Sequence, residues 1–349
     1  MHLCLRRGRC LQTALSMLLQ GWLFHTIHPL MLLASRPLRA GMALICCGCW
    51  LALCWPPLIR PTVFCLQRLE ALFQWCPQLP GQPSLWGIAI IVLLCRLFSS
   101  SRRPVVLLVS VILMSVSGLW HPFASMTLID VGQGDSILIR LPYNRGSILI
   151  DTGRSAAFDQ VEAMLQGEGI RKLDALILTH EDEDHSGSRD AVLQRYHPEQ
   201  VIEQIQGPFS IRGLTLYSLN PDTGIEAGND GSLMLLFSLE NTSILLCGDA
   251  GIQAEKALLR QFPGLRASIV KLGHHGSRTS SSRSFLETLR PQLALNSSGR
   301  NNRYGHPHSE VTTLLENCHI PLLDTQQQGD IRIVFTPFFK ILFTAEKGF

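Results

Sequence analysis

The sequence predicts a chain in two parts: a membrane α-helical N-terminal segment over residues 1–124 and a soluble α/β domain over residues 125–349. Three observations carry that prediction. Long uncharged apolar runs are confined to the first part. Short β-rich runs that alternate with helical stretches are confined to the second. Charge divides at the same place: residues 1–124 hold ten Arg, no Lys and one acid, Glu70, for a net +9, whereas residues 125–349 hold 20 Lys and Arg against 26 Asp and Glu, for a net −6. The overall +3 of the 349-residue chain averages two unlike halves. A composition of 46% hydrophobic and 16% charged residues excludes intrinsic disorder and is too greasy for an all-soluble protein. Nine of the eleven Cys fall before residue 96, so no disulfide framework declares a compartment for the second part.

Along the first part, Leu11–Leu33 is apolar but interrupted by Gln20, His25, His28 and Pro29, which leaves it a span, a re-entrant segment or an interfacial one. Ala40–Ile59 is twenty residues without a charge, the length that crosses a bilayer core as a helix. Cys46, Cys47, Cys49 and Cys54 lie within it and read as small hydrophobes. Leu85–Leu94, extended past Arg96 to Phe98, and Val105–Trp120 are shorter and need their flanks to span. Trp50, Trp55, Trp86 and Trp120 suit interfacial anchoring. Arg6, Arg7 and Arg9, then Arg36 and Arg39, then Arg102 and Arg103 mark cytoplasmic loops if Leu11–Leu33 does not span. Three crossings then place the second part outside the inner membrane, on the periplasmic side.

In the second part, β-rich runs fall at Met126–Val131, Ser136–Leu141, Ser147–Ile150, Ala175–Leu178, Leu233–Leu239, Ser243–Cys247, Ser268–Lys271, Leu293–Leu295 and Ile331–Phe335. Helical stretches lie between several of them, at Phe158–Leu165, Gly187–Tyr196, Ile252–Phe262, Phe285–Leu289 and Glu310–Asn317. Hairpins come first, then strands alternate with helices, the pattern of a layered α/β domain.

The polar residues gather at strand ends. After the apolar Leu176-Ile-Leu comes Thr179-His180-Glu-Asp182-Glu-Asp184-His185, in which two His bracket four acids. Alternation in an extended turn places His180, Asp182 and Asp184 on one side, and a sharp loop brings Asp184 and His185 to a second ion. Carboxylates with imidazoles suit Zn²⁺ or Mn²⁺. The alternative is a solvated acidic loop at a helix start, where acids are also favoured. Three further strands end the same way, on Asp151, on Asp249 and on His274-His275-Gly-Ser277. Strand ends are where α/β domains collect ligands.

Asp151, the His180–His185 run, Asp249 and His275 stand in the order of the metallo-β-lactamase superfamily motifs, and the second part resembles that superfamily. Within it, the chain is similar to the C-terminal part of the competence DNA-uptake channel family, ComEC. That likeness rests on Asp130-Val-Gly-Gln-Gly-Asp135-Ser136, the His-x-Asp-x-Asp-His variant, His274-His-Gly-Ser277 with Ser280–Ser282, and Tyr304-Gly-His306-Pro, in order over about residues 126–309. The resemblance implies an αββα sandwich with two divalent metal ions, Zn or Mn, at one edge. It implies that His180 and Asp182 help hold one ion, that Asp184, His185 and His275 hold the other, that Asp249 bridges, and that Asp151 orients the ligand loop from behind. The superfamily has His where Asp182 stands and a further His before the bridging Asp. Here that interval holds only His197, which reads as structural, so the first ion is short of nitrogen ligands and its site is weak, completed by water, or selective for a harder ion such as Mn²⁺. Asn229 and Asp230 are the candidates for the missing ligand.

Two metal ions suit in-line displacement at phosphorus, and equally lactam or ester hydrolysis. Arg278, Arg283, Arg290, Arg300 and Arg303 oppose only Glu287 between Ser277 and Arg303, a net +4 that suits a nucleic-acid strand. Ser277 and Arg278 are candidates for substrate contact, with His274 beside the metal ligand. The catalytic candidates are Asp184, at the reacting centre, and His306, as a proton donor or phosphate contact. His308 is expected to cap the helix toward Asn317, His319 to lie at the surface, and Asp135 to stabilise the Gly132–Gly134 turn. The resemblance implies a membrane-anchored nuclease acting on single-stranded DNA during uptake, with other competence proteins or a missing channel half as partners. Channel families of this kind carry a large upstream pore, so the chain reads as part of one: a truncated product, a split partner or a remnant. A non-catalytic binding module and a small-molecule metallohydrolase are the alternatives.

Overall fold

A computed structural model describes residues 26–27, 79–80, 121–204, 207–220 and 231–345. The apolar runs of the first part lie outside the described residues, apart from Thr26–Ile27 (β1), which pairs antiparallel with Leu79–Pro80 (β2). Among the described residues no helix is long and apolar enough to cross a membrane.

From His121 onward the chain builds two seven-stranded sheets with helices on their outer faces. The first sheet has the order β16-β15-β3-β4-β5-β6-β7. Its strands are β3 (Ala124–Leu128), β4 (Ile137–Arg140), β5 (Ser147–Ile150), β6 (Ala175–Ile177), β7 (Gln200–Ile202), β15 (Ile331–Phe335) and β16 (Lys340–Thr344). The second has the order β14-β13-β12-β11-β10-β9-β8. It is made of β8 (Gly207–Ile211), β9 (Leu214–Ser218), β10 (Leu235–Leu239), β11 (Thr242–Leu246), β12 (Ile269–Lys271), β13 (Leu293–Asn296) and β14 (Leu322–Asp324). Both sheets are mixed: β5-β6-β7 in one and β11-β12-β13-β14 in the other run parallel, and the remaining pairings are antiparallel.

Alternation along the strands divides the core into three layers. Ile137 and Ile139, Ile148 and Ile150, and Ala175 and Ile177 face the second sheet, whose Ile244, Leu246, Ile269 and Leu295 meet them. Their neighbours Leu138, Leu149 and Leu176 face outward onto α1 (Phe158–Gly167) and α3 (Arg189–Tyr196), through Val161, Leu165, Val192 and Tyr196. On the far side, Leu245, Val270 and Ala294 pack on α4 (Ile252–Gln261), α5 (Arg283–Leu289) and α6 (Ser309–Asn317). Two single-turn helices, α2 (Glu183–Ser186) and α7 (Thr325–Gln328), sit at strand ends. The result is the αββα sandwich that the resemblance implied. Strands covered on both faces are apolar at most positions, which is why β4, β5, β6 and β12 stand out as short, nearly continuous apolar runs.

Five strands of the sandwich were not among the expected runs: β7, β8, β9, β14 and β16. The β8–β9 hairpin carries a readable alternation, with Ile211, Leu214 and Leu216 buried and Thr215 and Tyr217 exposed. It turns on Arg212 and Gly213, both at positive φ, the backbone a two-residue hairpin loop needs.

Candidate metal centre

The parallel strands of both sheets end at one place. Asp151 follows β5, the His180–His185 loop follows β6, Asp249 follows β11 and His275 follows β12. The β6 loop is short because α2 begins at once. Asp182 occupies the position before its first residue, yet its carboxylate caps no backbone N–H. His274 and His275 both sit at positive φ in a tight turn ending at Gly276, and this turn points the His275 ring inward.

Three imidazoles are oriented from behind. The Asp151 carboxylate accepts the Thr179 N–H and hydroxyl, each at 2.7 Å, and lies 2.8 Å from His185 Nδ1. His275 Nδ1 donates to the Ser297 carbonyl at 2.9 Å, and His180 Nδ1 lies 3.1 Å from the Thr179 hydroxyl. With each Nδ1 engaged, each Nε2 faces the centre. Asp249 Oδ1 stands 3.1 Å from His185 Nε2 and 3.6 Å from His275 Nε2, while Asp249 Oδ2 is 3.9 Å from His180 Nε2. Asp184 Oδ2 is 3.4 Å from His275 Nε2.

These buried atoms fit a metal. His180 Nε2, His185 Nε2, His275 Nε2 and Asp249 Oδ1 are all buried without a hydrogen-bond partner. Such orphans are costly unless an ion satisfies them. Their spacing agrees: tetrahedral ligands with bonds of about 2.0–2.1 Å stand roughly 3.3 Å apart. Four overlapping groups form among the described residues: His180 with His185 and Asp249, Asp184 with His185 and His275, Asp135 with Asp249 and His275, and Asp135 with Asp151 and His185.

Electrostatics prepare the same atoms. Burial works against charge on Asp249, but His275, His185 and Lys271 outweigh it and hold the carboxyl well below its usual range. Burial likewise opposes ionisation of Asp184, and the His275 contact still brings it down to about 2. His185 is raised, because Asp151 and Asp249 overcome the burial that would lower it. His180 is lowered by burial and by His185, which keeps its lone pair free.

Asp135 departs from expectation. Rather than serving only the glycine turn, its carboxylate forms an ion pair with Lys271 beneath the centre, 3.5 Å from His275 Nδ1. Lys271 is fully buried and also donates to the Gly248 carbonyl at 3.2 Å. Sequence reasoning missed Lys271. Its signal was a lone charge within the apolar Ile269-Val-Lys-Leu272. The turn itself is tied to the site, since the Asp135 N–H donates to the Asp184 carbonyl at 3.0 Å.

Other expected residues are placed less centrally. Asp182 is mostly exposed, its Oδ2 3.7 Å from His180 Nε2, and joins no three-residue group. Asn229 and Asp230 lie outside the described residues. Ser277 is buried and its hydroxyl is engaged by Thr279 at 2.9 Å, so the hydroxyl serves the loop and is not open to substrate. His274 lies beside the centre, its Nδ1 3.3 Å from the Thr279 hydroxyl. His306 stacks between His275 and Tyr304, and burial together with His275 lowers it to about 4. Its ring is therefore neutral near pH 7, suited to a hydrogen-bond contact rather than to proton donation as imidazolium. His308 stands at the start of α6 but makes no capping bond; its Nδ1 accepts the Arg278 N–H instead. His197 closes α3 in a left-handed conformation, a structural position.

The arginine track divides. Arg278 pairs with Glu310 and Arg283 with Glu287. Arg300 and Arg303 line a cleft of about 710 Å³ that also contains Asp182 and Asp184. Arg154, unmarked in the sequence, lines the same cleft.

The metallo-β-lactamase superfamily model matches residues 129–222, and the αββα sandwich with His and Asp at its strand ends agrees with that match. Three of the chain's curated relatives are competence proteins of the ComEC family, and a fourth is the uncharacterized protein YcaI of Escherichia coli. It is 32% identical over 249 residues to ComE operon protein 3 of Bacillus subtilis, covering 59% of this chain and 32% of that one. It is 29% identical over 324 residues to Recombination protein 2 of Haemophilus influenzae, covering 87% and 40%. It is 33% identical over 225 residues to Competence protein ComA of Neisseria gonorrhoeae, covering 60% and 32%. The chain thus spans about a third to two fifths of the length of these relatives.

Proposed function

We propose that the domain is a metal-dependent phosphodiesterase that cuts DNA during uptake, anchored to the inner membrane by residues 1–124 and working on the periplasmic side. The observation that carries the hydrolase reading is the convergence of four buried, unpartnered donor atoms from two sheets at 3.1–3.9 Å. What supports DNA as substrate is the kinship with competence proteins and the cleft rimmed by Arg154, Arg300 and Arg303. Asp184, His185, His275 and Asp249 would hold one ion; His180 and Asp249, with Asp182 nearby, would hold the other less fully. Bound divalent metal supplies Lewis acidity and a water ionised near neutral pH. Arg154 and Arg300 would neutralise phosphate, and the neutral His306 ring would donate a hydrogen bond to a phosphate oxygen.

The test is cleavage of single- and double-stranded DNA by the full chain with Mn²⁺ or Zn²⁺, beside Asp184→Ala and His275→Ala. Both substitutions are expected to lower the rate by more than about 100-fold, since even residues behind the ligands are worth 10–100-fold. Absence of cleavage by the folded protein with either metal would refute the nuclease. For the anchor, a reporter fused at Phe349 is expected to be active outside the cytoplasm; activity only inside would reverse the topology.

A further inference from the structure

We propose that Arg303 and Tyr304 form a nucleobase platform beside the metal centre, so that the cleft recognises a strand by an unstacked base as well as by its phosphates. The inference rests on the reading of this cleft as a phosphodiester-cutting site and adds the feature that selects the polymer. The cleft is lined by Arg154, Arg300, Arg303 and Tyr304 together with Asp182, Glu183 and Asp184, and Arg154 pairs with Glu183 at 3.8 Å.

The loop that carries the platform is braced. Asn302 Nδ2 donates to the Gly299 carbonyl at 2.9 Å and to the His306 carbonyl at 2.7 Å, while its Oδ1 accepts the His306 N–H at 2.9 Å. One side chain thus spans both ends of the loop. Tyr304 stacks at 20° on His306, which stacks at 28° on His275. Tyr304 is therefore the outermost ring of a stair that begins at a metal-ligand candidate, and it is 44% exposed. Arg303 stands 4.8 Å over the Tyr304 ring and donates to its hydroxyl at 2.6 Å. Neither Arg300 nor Arg303 forms an ion pair with a carboxylate among the described residues; Arg300 donates to the Gln326 carbonyl.

An exposed tyrosine stacked on His306, beneath a guanidinium that pairs with no carboxylate among the described residues, and lining the same cleft as Arg154 and Arg300, has the chemistry of base stacking. Single-stranded nucleic acids are bound through such aromatic and guanidinium planes. In a duplex the base faces are covered by their neighbours, so the platform favours a strand whose bases are free.

The test compares binding of a fluorescent oligothymidylate with binding of an abasic strand of equal length and phosphate count. The full chain is used, in chelator, so that no cleavage intervenes. Wild type is expected to prefer the thymidylate by about 5–150-fold, the range a stacked base supplies. In Tyr304→Ala that ratio is expected to collapse toward one, and in Tyr304→Trp to persist. Should Tyr304→Ala fail to fold, Tyr304→Leu, which keeps apolar bulk without a ring, is read in its place. Equal binding of the two strands by wild type, or a ratio unaltered by loss of the ring, would overturn the platform. Hydrolysis of bis(p-nitrophenyl) phosphate by wild type with Mn²⁺ reports the phosphodiesterase separately. Its absence would sink that reading while leaving the base-to-abasic ratio to judge the platform.

Discussion

Lys271 is the residue on which the centre rests. It is buried completely, it faces Asp135 and the Gly248 carbonyl, and Asp135 and Asp249 keep it charged against the burial that would strip its proton. A buried ion pair adds little over an apolar pair of the same shape, but removing one partner leaves an uncompensated charge and costs about 3–5 kcal/mol. Lys271→Met is therefore expected to lower unfolding stability by that amount in urea titrations, and Lys271→Met with Asp135→Leu to recover part of it. A loss below about 1 kcal/mol in the single variant would mean that water reaches Asp135. The sequence made the ligands legible, because His and Asp at the ends of apolar runs have few other uses. It did not reveal this pair, because Asp135 and Lys271 meet only when two sheets close, and neither lies in a local pattern that names the other.

At the scale of elements, the two glycine-rich turns decide where the ligands stand. A Cβ on Gly134 would lie 2.2 Å from the Asp184 carbonyl oxygen, at a φ of +133° that side chains rarely adopt. Gly134→Ala must push the Asp184 backbone aside, and it is expected to weaken Zn²⁺ binding by at least about 10-fold in calorimetric titration. Gly264→Ala, which meets open space at an ordinary φ, should leave stability within about 0.5 kcal/mol. Element legibility follows burial. Strands β4, β5, β6, β11 and β12, covered on both faces, are nearly continuous apolar runs. The strands that escaped notice lie toward sheet edges or are three residues long, where one face meets water and polar residues interrupt the pattern. The helices are found where their apolar faces repeat at helical spacing.

For the whole molecule, the centre is a clasp. Asp184, His180 and His185 come from the first sheet, Asp249 and His275 from the second. An ion that binds only the assembled sandwich stabilises it by RT ln(1 + [L]/Kd), about 2.7 kcal/mol at a hundredfold excess over Kd. For a domain of this size that is a rise of roughly 5–11 °C in Tm. Thermal unfolding of the full chain with Zn²⁺ is expected to shift by that much and to return with chelator, whereas Asp249→Ala should show no shift. An equal shift in the variant would place the ion elsewhere.

The order in which the donors appear along the chain has a consequence for biosynthesis. The ribosome releases Asp151 and the His180–His185 loop well before Asp249 and His275, and the Ser297 carbonyl that aims His275 comes later still. A polypeptide that stops before Asp249 therefore holds only part of the set of donors. On the reading proposed here, such fragments carry no cutting power, and DNA in the cell is never exposed to a half-made nuclease.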